Sequence, residues 1–362
     1  MLCKSNSCVR GTSMLTQFDS WLASDGPVAL TINELLEPAA GAKSVFFPPT
    51  FAPPEGSDEK PGYVIDENRI CLVDTVGSQA NRLEPMFKRP DFASLMPRFT
   101  VKAGDRTVDI LDAGHRAADA IVRFSDQWEP LRNAFLAYRD KGDALPLARI
   151  APTSLVFGAW DSRDTGAKIP RLIESTVRAY GVERLTRSAQ YFSALEKEEV
   201  LEMELDSLGQ KTLSGYGISD SPAGRVPGGV VARDGIVREA LLNLIALRAI
   251  GTGNAEASIK LQRYILGLSL MAFVAPAQLY LRQGCVLVAS GDKPAERKIV
   301  WRSGKRDNFD LAEQQVLDFA RSAASEFGVG PGIEAVFHPD RVKAAANEKT
   351  AKRKGKGAPA PV

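Results

Sequence analysis

The sequence predicts an α+β fold, and three observations carry that reading. Strand and helix candidates follow one another without a strict βα alternation. No internal repeat is present, which excludes a solenoid. The composition, 44% hydrophobic and 25% charged over 362 residues, is that of a globular chain long enough to bury a core without staples. Residues 14–340 read as one domain with insertions. A polar leader (1–13) and a basic tail (341–362) flank it, both expected to be disordered, and Met14 is an alternative start.

The elements follow in order. The body opens with LTQFDSWLASDGPVAL and a short apolar run at 45–47. The stretch PPTFAPPEGSDEKPG (48–62) is a surface loop. Residues 69–73 (RICLV) form a strand, and a helix begins near QANRLE with Ser78 as its N-cap, stopped early by Pro85. Short strands are expected at 98–101 and 107–111. From Gly114 the pattern is helical, with a break at Pro130. Residues 154–160 read as a buried strand, 161–170 as a charged loop and 171–180 as a helix. Residues 196–206 are acidic, and 208–229, with six glycines and two prolines, suit a long irregular hairpin or flap. Two apolar helices are expected at about 236–250 and 256–274, a buried strand at 285–289, and an amphipathic helix at 309–327.

Several function classes fall away. The longest weakly polar run, 264–277, has 14 residues, where a membrane-spanning helix needs about 20. The first residues contain no apolar h-region, so the expected location is the cytoplasm, with no membrane partner. Four cysteines without a CxxC pair do not make a disulfide framework, and Cys71 and Cys285 sit in apolar runs as small buried hydrophobes. The tail 341–362 holds seven basic residues and one acid, so the first 340 residues carry −4 of a whole-chain +2. Any nucleic-acid binding by the body must therefore be local.

Catalytic motifs are missing: no GxxxxGK[ST], no HExxH, no GxSxG. His115 and His338 are the only histidines. His115, at a helix start, suits a capping or surface role better than that of a general base. Asp161 and Asp164 share one loop. They either hold Mg²⁺ or pair with Arg163, Lys168 and Arg171 to organise that loop. No cofactor and no resident metal is expected. What remains is a set of amides and cations at strand-to-helix transitions. Ser78, Gln79, Asn81 and Arg82 cluster where a helix N-terminus offers N–H groups to a phosphate. Residues 149–192 interleave seven basic residues with Trp160, Tyr180, Tyr191 and Phe192. That mixture suits a single strand, with charge on the backbone and rings on the bases, but taken alone it fits a solvated face above core aromatics better.

At these residues the chain resembles a known family. LVDTVGSQANRLEP (72–85) is similar to the signature of the backbone subunit of type I-G (formerly I-U) CRISPR surveillance complexes, a member of the RAMP superfamily. Further similar blocks are AGHRAADAIVRFSD (113–126), SLVFGAWDSRDTGAKIPRLIES (154–175), LTRSAQY (185–191), GGVVARDGIVREALLNLIALR (228–248) and LRQGCVLVA (281–289). They keep the family's order over about residues 15–300.

The resemblance implies a modified RRM, a ferredoxin-like palm with large helical and loop insertions (fingers and thumb), 208–229 being the candidate thumb. It implies a non-catalytic, RNA-binding subunit of a Cascade-type complex for antiviral defence. Copies would stack head to tail along CRISPR RNA in a helical filament, beside other subunits, and present the guide bases to target DNA. Carried over by position, Ser78, Gln79, Asn81, Arg82, Arg163, Lys168 and Arg171 would hold the guide backbone. His115 and Arg116 would touch RNA or a neighbouring copy. Related subunits that cleave RNA with a loop aspartate supply the rival, a metal-dependent ribonuclease acting through Asp161 or Asp164. A sequence-indifferent strand binder unrelated to CRISPR is the third reading.

Overall fold

The computed structural model describes residues 14–58, 60–191, 221–276, 278–291 and 293–356. Strand β1 (Ala29–Pro38) is the spine of its main sheet, turning Leu30, Ile32 and Leu36 to the core and Asn33 and Leu35 to the open face. Strand β2 (Cys71–Asp74) leads into helix α1 (Val76–Leu83). The cap of α1 is Thr75 and not Ser78: Thr75 Oγ1 accepts the Ser78 N–H at 3.1 Å. Beyond Leu83 the chain tightens into a 3₁₀ turn at Glu84–Lys88, with Pro85 inside it. Strands β3 (Phe99–Ala103) and β4 (Arg106–Asp109) form a hairpin close to the expected positions.

The stretch after Gly114 is not one helix. It divides into a 3₁₀ turn (Arg116–Ala118), a short helix (Ala120–Arg123) and α2 (Trp128–Lys141). Pro130 lies in the first turn of α2, where its missing N–H has no intrahelical partner to lose, so it opens the helix and does not break it. After α3 (Leu145–Ile150) comes α4 (Thr153–Phe157), where a strand was expected. All five residues of α4 are buried, and a short apolar run fits a buried helix as well as a strand. Strands β5 (Ala159–Trp160) and β6 (Lys168–Ile169) close a small hairpin around the 161–167 loop.

Residues 171–180 also reverse: they contain strand β7 (Ile173–Ala179), not a helix. Ile173, Ser175, Val177 and Ala179 point inward and Glu174, Thr176 and Arg178 outward, a period of two. Strands β8 (Val182–Tyr191) and β9 (Ser221–Ala232) form a hairpin. The expected flap therefore falls in β9 from residue 221, and its first part lies outside the described residues, as do the acidic stretch 196–206 and the leader. The expected helix at 236–250 is mostly strand β10 (Ile236–Asn243), again alternating, with only α5 (Leu244–Arg248) helical. Asn243 Oδ1 caps α5 by accepting the Ala246 N–H.

Helix α6 (Ala255–Val274), β11 (Tyr280–Arg282) and β12 (Cys285–Ala289) follow, then β13 (Glu296–Val300), β14 (Arg306–Asn308), α7 (Glu313–Phe327) and β15 (Ile333–Val336). The tail, expected to be disordered, enters helix α8 (Pro339–Lys356). Its Ala, Lys, Glu and Arg content favours helix.

The main sheet is antiparallel and runs β11–β12–β1–β10–β7–β2, with β13 also paired to β1 and β14 paired to β13. Ala29 faces Asn243 and Leu36 faces Ile236 across β1 and β10. The other edge of β1 is shared, by β13 over residues 29–33 and by β12 over 36–38. Helices α6 and α7 cross closely, since a Cβ at Gly267 would lie 2.9 Å from Ala320 Cα.

The covered face of the sheet carries two apolar clusters. Leu30, Ile32, Ile173 and Leu242 join the larger one with the helices. Leu36, Val177, Ile236, Cys71 and Cys285 join the smaller. Both cysteines are fully buried, and burial pushes their thiols up to about 11 and about 12. A polar seam separates the clusters at the intervening inward positions Glu34, Arg238 and Ser175, with Glu34 and Arg238 paired at 2.6 Å. No helix of the described residues is long and apolar enough to cross a membrane.

Candidate nucleic-acid interface

The seam continues into the first candidate segment. Asp74, at the end of β2, is buried. A buried carboxylate needs donors, and α1 supplies them. Gln79 Nε2 donates to Asp74 Oδ2 at 2.6 Å, Arg82 Nε donates to the same oxygen at 3.1 Å, and Ser175 Oγ donates to Gln79 Oε1. The other Arg82 nitrogens donate to the carbonyls of Tyr280 and Leu281 on β11. The sheet thus curls until the helix following one edge strand is tied to the opposite edge. Gln79 and Arg82 were expected to grip a guide backbone. Gln79 is buried and Arg82 half-buried, and the polar atoms of both are engaged by the fold itself, where they satisfy the Asp74 carboxylate. Asn81 is exposed and Ser78 half-exposed.

The second segment is built on Arg116, which is buried and left-handed at φ +51°. A non-glycine residue there carries strain of about 1–3 kcal/mol. Its contacts hold it: Nε lies 2.6 Å from Glu84 Oε2, and its terminal nitrogens donate to Asn81 Oδ1 at 3.3 Å and to the Gly158 carbonyl at 3.4 Å. Its guanidinium also stands 5.4 Å from the centre of the Phe157 ring. Burial pushes the Glu84 carboxyl up to about 7, with Arg116 pulling the other way. Burial likewise lowers the Arg116 guanidinium, and Glu84 opposes it. Arg116 is therefore a hub joining α1 to the β5 hairpin. His115 beside it is open to solvent, with Nδ1 3.5 Å from Asp119.

The third segment is the β5–β6 hairpin. Asp161 is fully buried, and both its oxygens are taken. Oδ1 accepts from Arg123 at 2.5 Å, and Oδ2 accepts the N–H and hydroxyl of Thr165 at 2.8 and 2.7 Å. Asp164 accepts from Arg132 Nε at 2.9 Å. The two carboxylates organise the loop through Arg123 and Arg132, not through the cations expected from sequence. Among the described residues no group of three acids, histidines or cysteines is placed to hold a metal.

The loop's own cations do not pair with these acids. Arg163 and Lys168 are exposed and have no ion pair among the described residues. Lys168 Nζ sits 5.7 Å from the centre of the Trp160 ring, which is 62% exposed. Arg171 donates from Nε to the Phe157 carbonyl, and a Cβ at Gly77, in the first turn of α1, would lie 3.8 Å from its Nη2. Gly158, at φ +77°, has no room for a side chain, since a Cβ would lie 2.6 Å from Arg171 Cγ.

The three segments therefore meet in one locality, with Ser78, Asn81, His115, Arg163, Lys168 and Arg171 at its surface, Arg82 half-buried, and Gln79 and Arg116 beneath. Such a surface offers phosphates free cations, amide donors and one open indole face. Sequence reasoning missed Glu84 and Asp74 as the partners that draw arginines inward. A signal existed: Asp74, Gln79 and Arg82 straddle a strand end and one helical turn.

Residues 30–184, which span all three segments, match the model of a family described as CRISPR-associated protein GSU0053. A comparison with curated proteins finds no match. Among solved structures the chain is similar to one chain of a "CRISPR RNA-guided surveillance complex, pre-nicking", at 10% identity and a TM-score of 0.34, with 88% of this chain and 99% of that chain covered.

Proposed function

We propose that this chain is a non-catalytic subunit that binds CRISPR RNA in a type I-G, Cascade-type surveillance complex. In this reading copies line up head to tail along the guide in the cytoplasm, alongside other subunits, and leave the bases free for target DNA. The observation that carries it is the convergence of the α1, 113–116 and 158–171 segments into a surface with unpaired cations and an exposed indole. The family match over the same residues supports it. A guide holder must tolerate any sequence, so its grip belongs on phosphates and sugars.

The topology supports a ferredoxin-like palm. Counting β1, β7, β10 and the β12–β13 pair as four strands, their spatial order is fourth, first, third, second. Helices lie between the first and second and between the third and fourth. Strand β2 is then an added edge, and the segments carrying the candidate surface are insertions between the first two palm strands. Ser78, Asn81, His115, Arg163, Lys168 and Arg171 are the contacting residues, Trp160 the stacking platform, and Gln79, Arg82 and Arg116 their support.

The test is the nucleic acid that copurifies with the chain. RNA of uniform length with a common repeat-derived end supports the proposal, and heterogeneous or no nucleic acid contradicts it. A parallel gel with Mg²⁺ or Mn²⁺ and RNA complementary to the guide should show no cutting. Metal-dependent cutting lost in Asp161→Asn or Asp164→Asn would establish the ribonuclease reading instead.

A further inference from the structure

A second surface lies away from this locality. A cavity of about 680 Å³ opens between the 51–64 loop and the base of the β8–β9 hairpin. Its apolar wall includes Phe51, Pro53, Pro61 and Pro227, and its cations are Lys60 and Arg184. Neither cation has an ion pair, and no carboxylate lines the cavity, among the described residues. We infer that this groove takes one nucleotide of an unpaired strand, its base against Phe51 and the prolines and its phosphate between Lys60 and Arg184.

Charge and hydrogen bonding together select that occupant. Two unpaired cations beside an apolar wall call for an anion attached to a flat or apolar body. An extended acidic peptide would meet the cations, but it docks by pairing its backbone with free N–H and C=O groups. This wall has few. Prolines donate nothing, and Phe51 and Gly62 already exchange both of their backbone hydrogen bonds. The Tyr63 hydroxyl already accepts the Gly229 N–H at 3.1 Å. A base asks for none of this, because it stacks through its π-face and keeps its edges in water.

The position also fits a strand already held elsewhere, and here the inference rests on the nucleic-acid-binding reading above. The first locality borders the Ile173 end of β7, and Arg184 follows the Ala179 end. Seven strand residues span about 20 Å, a distance that a single strand of several nucleotides bridges.

The experiment uses the full chain and a short fluorescein-labelled oligouridylate carrying 4-thiouridine. Phe51→Ala should weaken binding about fivefold or more, as loss of one stacking contact does. Lys60→Ala combined with Arg184→Ala, both at exposed positions, should weaken it comparably and flatten its salt dependence, with the thermal midpoint unchanged. Photo-crosslinks should map to 51–64 or to the start of β8. Undiminished affinity in the double variant, with crosslinks only in 158–171, overturns this inference and leaves the first site standing. Failure of the parent chain to bind overturns both. Binding of a Glu/Leu-rich peptide that needs Lys60 and Arg184, without oligouridylate binding there, assigns the groove to a protein partner and overturns it as well.

Discussion

Two arginine-bearing regions, only a few residues apart in space, have opposite fates. Arg82 and Arg116 are drawn inward by Asp74 and Glu84. Arg163 and Lys168, on the β5–β6 hairpin, stay outside because the nearby acids Asp161 and Asp164 already belong to Arg123 and Arg132. Residue type does not decide which cations meet a ligand. The local balance of buried carboxylates and available donors does. A buried carboxylate without a partner is costly enough to capture a cation, and only the surplus is left for solvent and partners. The inner region fixes geometry, and the outer one provides charge.

The largest expected effect tests the inner region. At pH 8, where Glu84 is ionised beside Arg116, Arg116→Ala leaves that carboxylate buried without its cation and should lower unfolding stability by up to about 3–5 kcal/mol. Arg163→Ala, at an exposed position, should stay within about 0.5 kcal/mol of the parent. Urea denaturation of both variants measures the contrast. Equal and small losses would mean that Arg116 is not the hub described.

A pH series sharpens the same point. Burial pushes the Glu84 carboxyl up to about 7, above its ordinary value of 4.5. The folded state then holds a proton that the unfolded state releases, so this group's contribution is full below pH 4.5 and falls as pH rises towards 7. Glu84→Gln should remove that part of the slope between pH 5 and pH 8. Thermal melts of parent and variant across this range decide it, and parallel curves would assign the slope elsewhere.

Next in size is Trp160→Ala. An exposed indole beside Lys168 contributes little to the core, so the melting temperature should barely move. Affinity for single-stranded RNA should drop by about 1–3 kcal/mol if a base stacks there. Fluorescence anisotropy with unrelated sequences checks both size and indifference. A loss confined to one sequence would point to base-edge reading.

Much of this was legible in the sequence. The strand at Cys285–Ala289 and the helices α6 and α7 lie where pattern places them, because they are long or cleanly bounded. The failures share a cause. Helix α4, strand β7 and strand β10 are short apolar or half-apolar runs whose partners lie far away in the chain. Strand pairing across about sixty residues overrides local propensity, as β7 and β10 show. Within the site, the residues that come together were legible from their blocks. Their orientation was not, because it depends on which buried acid each one meets.

The smallest effect is the most specific test of that orientation. Each phosphate contact to a single strand contributes about 0.7 to the slope of log K against log salt. If Arg163, Lys168 and Arg171 grip phosphates, an isolated copy should show a slope of about −2, and Arg163→Ala or Lys168→Ala should each reduce its magnitude by about 0.7. Arg82 is tied to Asp74 and to two carbonyls of β11. Arg82→Ala should therefore lower stability and leave the slope of the remaining folded protein unchanged. Filter binding at several salt concentrations, corrected for the folded fraction, separates the two kinds of arginine. A slope that shifts by about 0.7 in Arg82→Ala and not in Arg163→Ala would reverse the assignment of inner and outer cations.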